Sequence, residues 1–275
     1  MMVRLPLSRS GREVLEIATQ AAEEAGSLLL KHMHGQLKLG YKEGRANLVT
    51  DVDVLAEKSV MSVLRSEYPD FDILSEESPA IAQGSPYTWV IDPLDGTNNY
   101  VHGVPFFCVA IALATSQEVL LGVTYDPVRR ELFAAQQGYG ASLNGQPISV
   151  AQRTLMKECF LGCDLGYDAD KGKAMLDAAG SCWPELGGLR LMGSAALGLA
   201  YVACGRLDAY IHPYLYPWDL AGAVALVEGA RGKMTDWQGK PATIHSREIV
   251  AGNEIVHRQF LALIEGQPQL HFKDI

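Results

Sequence analysis

Trp89-Val90-Ile91-Asp92-Pro93-Leu94-Asp95-Gly96-Thr97-Asn98-Asn99 is the stretch on which the reading of this sequence turns. A β-forming run, Tyr87 to Ile91, ends in two carboxylates three positions apart, with a proline between them. Pro93 fixes its own φ and stiffens the exit from the strand, which holds Asp92 and Asp95 toward one point. Two convergent carboxylates repel each other unless a cation lies between them, and hard oxygen donors select Mg²⁺, Mn²⁺ or Ca²⁺ over softer metals. Gly96 and Thr97 then offer backbone N–H groups; if a helix starts there, they form an anion site. A cation site beside an anion site is what phosphoryl chemistry needs. The plain alternative is a surface turn, because Asp-Pro-x-Asp-Gly is also good turn chemistry.

Three other acidic segments bear on that choice. Ile73-Leu74-Ser75-Glu76-Glu77-Ser78 places paired carboxylates after a short apolar run. Pro217-Trp218-Asp219-Leu220-Ala221-Gly222-Ala223 places an acid at the start of an apolar helix. Leu48-Val49-Thr50-Asp51-Val52-Asp53 places two more in the first turn of another. Each has an ordinary explanation: a solvated turn for Glu76 and Glu77, an N-cap for Asp219, and first-turn helix acids for Asp51 and Asp53. All four segments together, in this order, argue for one shared centre.

The chain of 275 residues is long enough for one large domain or two closely packed halves. It is 48% hydrophobic and 20% charged, as globular chains are, and its net charge of -9 disfavours nucleic acid and anionic membrane as partners. The N-terminus, MMVRLPLSRSGREV, lacks the apolar core of a signal peptide. The stretch Leu191 to Gly205 is too short and too rich in Gly and Ala to span a bilayer. The expected location is cytoplasmic. Five cysteines with no CxxC fit reduced, buried thiols.

Local patterns divide the chain further. Ser10 and Glu13 read as a capping box opening a helix that runs to about His32. Gly35 to Asn47 reads as a loop or short hairpin, and Thr50 as the cap of a helix ending at Tyr68-Pro69. Tyr87 to Ile91 reads as a strand stopped by Asp92-Pro93. Phe106 to Ala114, Val119 to Tyr125 and Glu131 to Ala135 read as an antiparallel meander, and Asn144-Gly145 as a hairpin turn. Beyond about residue 150, Cys159 to Cys163 and Leu207 to His212 read as strands, and Asp170 to Ala179 as a helix. Ser194 to Ala203 reads as a helix capped by Ser194, and Leu220 to Glu228 as an apolar helix. Ile249-Val250 and Glu254 to Ile264 complete the pattern. The expected organisation is a single unit, 1–275, with subdomains roughly 1–150 and 151–275 sharing a cleft.

With WVIDPLDGTNNYVHGVPFF and YPWDLAGA in view, the sequence resembles the inositol monophosphatase family of lithium-sensitive, magnesium-dependent phosphatases, from Lys42 to Asn253. The resemblance implies an α+β fold, a layered α-β-α-β-α sandwich of the inositol monophosphatase and fructose-1,6-bisphosphatase type, in a homodimer. It implies two or three Mg²⁺ ions. Glu76, Asp92 and the Leu94 carbonyl would hold the first, Asp92, Asp95 and Asp219 the second, and Glu76 a weaker third. Gly96 and Thr97 become the phosphate cradle. Asp53 and Thr97, with Glu76, become the group that orients and activates a water. Lys42 matches a loop lysine near the site, and Gly193-Ser194-Ala195 a turn that lines the substrate pocket with Asp219. The implied activity is hydrolysis of a small phosphorylated polyol or sugar, inositol monophosphate first, by direct water attack.

The sequence departs from the family pattern in places. His212 stands where inositol-specific members carry a Glu that contacts ring hydroxyls; it is either a neutral or cationic substrate contact favouring a different or more anionic ester, or an ordinary strand histidine with a local hydrogen bond. Asn47 replaces an Asp found in many animal members. Arg231 is either a surface residue or a reach toward a second phosphate. These departures leave fructose-1,6-bisphosphatase, histidinol-phosphate phosphatase and nucleotide 3′-phosphatase as alternatives. A catalytically silent scaffold is the alternative of a different class.

Overall fold

The computed structural model describes residues 5–41, 48–267 and 270. Apolar residues at helical spacing form α1 (Val14–His32), burying Val14, Ile17, Ala18, Ala21, Ala25 and Leu29. Its expected capping box does not form. Glu13 is the N-cap residue without a side-chain cap, and Ser10 donates its N–H and hydroxyl to Glu67 instead. β1 (Leu39–Tyr41) pairs antiparallel with β2 (Leu48–Thr50). Lys42 and Asn47 lie outside the described residues. Thr50 then caps α2 (Asp51–Glu67), and Asp53 completes a capping box with it.

A seven-stranded sheet follows in sequential order: β3 (Asp72–Ser75), β4 (Thr88–Asp95), β5 (Cys108–Ala114), β6 (Val119–Asp126), β7 (Glu131–Gln136), β8 (Gly140–Leu143) and β9 (Gln146–Pro147). Only β3 and β4 are parallel; the meander is antiparallel as expected. The expected stop at Asp92-Pro93 is wrong, because β4 runs on to Asp95. Its register against β5 shifts between Asp92 and Asp95, and such a bulge tolerates a proline that has no N–H to pair. The bulge therefore sits among the acidic residues of the decisive motif. Gly96, at φ +94°, turns the chain into the short helix α3 (Thr97–Val101). A Cβ there would lie 3.1 Å from the carbonyl oxygens of Phe106 and Gly193, so glycine is required twice over.

The second sheet has the order β11-β10-β12-β14-β13. Its strands are β10 (Phe160–Cys163), β11 (Gly188–Leu191), β12 (Ala209–His212), β13 (Lys233–Thr235) and β14 (Ile249–Gly252). The remaining helices are α4 (Ala169–Cys182), α5 (Ala195–Ala203), α6 (Pro217–Gly229) and α7 (Glu254–Glu265). α6 begins earlier than its apolar run, with Pro217 at its first position, so Trp218 and Asp219 lie inside its first turn.

Strand alternation sorts these elements into layers. Ile91, Val109 and Ile111 face α1 and α2. Cys108 and Ala110 face α5 and α6, which also pack on Tyr210, Ile249 and Ala251 of the second sheet. Ala209, Ile211 and Val250 face α4 and α7. The result is the α-β-α-β-α sandwich expected from the resemblance. Its middle layer is packed backbone to backbone: a Cβ on Gly122 of β6 would lie 2.3 Å from the Gly222 carbonyl oxygen of α6. Gly122→Ala is expected to destabilise the fold by about 3 kcal/mol, the cost of overpacking against atoms that cannot yield. A thermal melt should show Tm lower by roughly 6–12 °C; an unchanged Tm would mean that sheet and helix are not in contact there.

Candidate metal and phosphate site

The four acidic segments meet at the C-terminal end of β4. Asp92 and Asp95 come from its bulge, Glu76 from the turn after β3, Asp219 from the first turn of α6 and Asp53 from the first turn of α2. Carboxylate oxygens of Asp92, Asp95 and Asp219 lie within 4.8 Å of one another. Asp92 and Asp95 are buried, and Glu76 shares a side-chain hydrogen bond with Asp92. Burial, and then the charges of Glu76, Asp95 and Asp219, hold the Asp92 carboxyl well above the usual carboxylate range. Like charges this close repel unless a proton or a cation intervenes. An all-oxygen donor set of this kind suits Mg²⁺.

Local structure explains how each acid is aimed. Asp53 Oδ2 accepts the Thr50 N–H at 2.9 Å and the Thr50 hydroxyl. Asp53 Oδ1 faces Thr97, whose Oγ1 lies 3.1 Å from it and 3.0 Å from the Leu94 carbonyl oxygen. Asp219 accepts the Tyr216 N–H at 2.7 Å, so it caps α6 and joins the cluster as well. Asp51 accepts the Lys38 N–H at 3.1 Å, a bond to the segment just before β1. Glu57 had no place in the sequence reading. It is buried one turn after Asp53 and accepts the Glu77 N–H at 3.2 Å and the Ser78 hydroxyl at 3.1 Å. It therefore braces the turn that presents Glu76. Its only sequence signal is the i,i+4 spacing from Asp53.

Asp95 corrects the expected cap of α5. Ser194 occupies the N-cap position but makes no side-chain cap. Asp95 does the capping across the two halves: it accepts the Ser194 hydroxyl, the Ala195 N–H at 3.2 Å and the Ala196 N–H at 2.9 Å. These donors lower the Asp95 pKa while burial raises it more strongly. The Gly193-Ser194-Ala195 turn thus lies directly against the acidic cluster. Cys108 Sγ is 3.6 Å from Asp95, but burial and the charges of Asp95 and Asp92 keep its thiol protonated, which removes it as a nucleophile.

His212 is only 5% exposed. Its Nδ1 accepts the Tyr214 N–H at 3.1 Å, and burial lowers its pKa to about 3. Burial therefore favours the neutral imidazole in this state of the site. Arg231 follows the C-terminus of α6 while Asp219 is in its first turn, roughly 18 Å away along the helix. It does not reach the cluster, so it does not hold a second phosphate there. Tyr167 is a residue the sequence reading missed. Its side chain is about half exposed, and burial with the charges of Glu76, Asp219, Asp95 and Asp92 pushes its hydroxyl pKa up, so it senses the acidic cluster from the solvent side. Tyr167→Phe is expected to raise KM about fivefold with kcat nearly unchanged, the loss of one hydrogen bond of ~1 kcal/mol. An unchanged KM would place Tyr167 outside the substrate's path.

The inositol monophosphatase family model matches residues 10–269. The chain belongs to the inositol monophosphatase family. An inositol monophosphatase of Dictyostelium discoideum is 37% identical over 260 residues, 92% of this chain and 96% of that protein. The Nus factor SuhB of Pseudomonas aeruginosa is 38% identical over 264 residues, 94% of this chain and 97% of that protein. The solved structure of the suhB extragenic suppressor protein from Bartonella henselae superposes with a TM-score of 0.88 at 34% identity, covering 92% of this chain and 98% of that one. Membership assigns the chain to a family of metal-dependent phosphatases. Among the described residues no helix is long and apolar enough to cross a membrane.

Proposed function

We propose that this protein hydrolyses a small phosphorylated polyol or sugar, inositol monophosphate first, with Mg²⁺ as cofactor. The observation that carries the reading is the convergence of Asp92, Asp95 and Asp219, with Glu76, beside the Thr97–Asp53 pair. Glu76, Asp92, the Leu94 carbonyl, Asp95 and Asp219 would hold two or three Mg²⁺ ions. Bound there, Mg²⁺ supplies charge neutralisation for the phosphoryl group and the departing alkoxide and acidifies water.

The chain's own groups do the rest. Thr50 locks Asp53 Oδ2, so Oδ1 is left to polarise the Thr97 hydroxyl. Thr97 in turn orients the attacking water, with Glu76 available as a proton acceptor. Gly96 and Thr97 cradle the phosphate. The Gly193-Ser194-Ala195 turn, Asp219 and His212 as a neutral group line the leaving-group side; Lys42, outside the described residues, is assigned to substrate binding from the sequence alone. We also assign a homodimer in the cytoplasm, with residues 1–150 the metal-binding half and 151–275 the substrate half.

A panel of phosphate esters assayed with Mg²⁺, with and without EDTA, tests this. Inositol 1-phosphate is expected to be hydrolysed fastest, ahead of histidinol phosphate, fructose 1,6-bisphosphate and a nucleotide 3′-phosphate. Turnover of inositol 1-phosphate orders of magnitude below any of these would remove it as the substrate. A second reading, a non-catalytic binding protein, draws on the similarity to a Nus factor. It would be favoured by the absence of metal-dependent phosphate release from every ester.

A further inference from the structure

Asp164 belongs to none of the motifs that pointed to the site, yet it gathers hydrogen bonds from three directions. It follows β10 directly. Its Oδ1 accepts the N–H groups of Met192 at 2.9 Å and Gly193 at 2.6 Å, both just past the end of β11. Its Oδ2 accepts the hydroxyl of Tyr210, from β12, at 2.5 Å. One carboxylate thus joins the ends of β10 and β11 to a side chain from within β12, and β10 is parallel to both neighbours.

The segment it holds is the one that holds Asp95. Gly193 turns at φ +73°. On the other side of the turn, Asn99 Nδ2 donates to the carbonyls of Met192 at 3.0 Å and Phe106 at 2.7 Å. A Cβ on Gly193 would lie 2.7 Å from that nitrogen, so the Asn99 amide packs directly on the turn. Immediately beyond it, Ser194, Ala195 and Ala196 deliver their donors to Asp95. The path Tyr210–Asp164–Gly193–Ser194–Asp95 is continuous, and each step is a hydrogen bond or a peptide link.

We propose that Asp164 is a positioning residue for Asp95: by fixing the 192–194 turn it sets the donors that orient the Asp95 carboxylate within the acidic cluster. The proposal rests on the reading of Asp95 as a metal ligand. Three donors converging on a half-buried side chain explain why a carboxylate stands here. An Asn has one acceptor oxygen; it could keep Met192 and Gly193, but it would turn an NH₂ toward the Tyr210 hydroxyl.

The test uses the full-length Asp164→Asn and Tyr210→Phe proteins and their double variant, with Ca²⁺ as probe in isothermal titration calorimetry. Supporting partners of metal ligands typically change affinity by about 10–100-fold. Asp164→Asn is expected to weaken Ca²⁺ binding about tenfold and to raise the Mg²⁺ concentration needed for half-maximal hydrolysis by the same factor, with kcat at saturation changed less. Tyr210→Phe should act in the same direction, and the double variant should be no worse than Asp164→Asn, because both act through one contact. A lower Tm with wild-type Ca²⁺ affinity in both single variants would make the contact merely structural and overturn the proposal. Should Asp164→Asn fail to fold, Tyr210→Phe alone decides. Should the wild-type chain bind no Ca²⁺ and release no phosphate, the metal reading of Asp95 fails first. Amide exchange at Ala195 and Ala196 then decides for Asp164: exchange at least tenfold faster in Tyr210→Phe supports the clamp, and unchanged exchange overturns it.

Discussion

Asp95→Asn is expected to lower kcat/KM by roughly 10³-fold or more while the protein stays folded. The side chain has two tasks. It is one of three acids whose oxygens lie within 4.8 Å, and it is the acceptor that caps α5. On the proposed reading Asn removes a charge that would hold a divalent cation, and a Lewis-acid contribution of about 4 kcal/mol corresponds to a factor of roughly 10³ in rate. The amide keeps one acceptor oxygen for the Ser194–Ala196 donors, so the cap loses only about 1 kcal/mol. The same substitution also relieves repulsion on Asp92, which offsets part of that loss. The measurement is turnover of the purified, folded variant at saturating Mg²⁺. Near-normal turnover would remove Asp95 from the chemistry.

Chelation is expected to abolish phosphate release and to lower Tm by an amount that grows with pH. The sign follows from Asp92. Below about pH 4 its carboxyl is protonated in the folded and the unfolded chain alike. As pH rises, the unfolded chain loses that proton first, because burial and three neighbouring acids raise the folded pKa. Stability of the metal-free protein therefore falls from about pH 4 upward, until the folded group also ionises. Asp95 acts in the same direction, and Asp164, with a folded pKa of about 6, adds a loss that is complete above that value. Two buried histidines oppose this trend. His212 and His257 have folded pKa values lowered to about 3 and about 4, so their contribution is lost as pH falls below about 6.5. The histidine effect is common to loaded and stripped protein and cancels in the difference between them. With Mg²⁺ at about 100 times its Kd the stabilisation is about 2.7 kcal/mol, or a Tm rise of roughly 5–10 °C. That rise should be larger near pH 8 than near pH 5, where protons compete for the same oxygens. Equal Tm values with and without Mg²⁺ at every pH would refute the metal site.

Much of this was legible because it is local. Thr50 and Asp53 form the capping box their spacing promised, and Asn144-Gly145 closes its hairpin with φ +50° and +76°. Ser10 and Glu13 carry the same signature, yet Ser10 is drawn away by Glu67, 57 positions later. Pro93 carries the signature of a strand stop, because the bulge that accommodates it exists only against β5. Ser194 carries the signature of a cap, because an acid 99 positions earlier lies beyond any local pattern.

Residue type and near-neighbour pattern carried the donor chemistry: carboxylate oxygens at Asp92, Asp95 and Asp219, a hydroxyl at Thr97, and the apolar periods that sort helices from strands. Those properties belong to a residue and its nearest neighbours. Only the tertiary structure decided that Asp95 caps α5, that His212 is neutral, that Glu57 braces the Glu76 turn and that Asp164 clamps the turn at Gly193. Each depends on burial and on partners brought in from distant strands and helices, and a side chain's charge and direction are set by those surroundings rather than by its place in the chain.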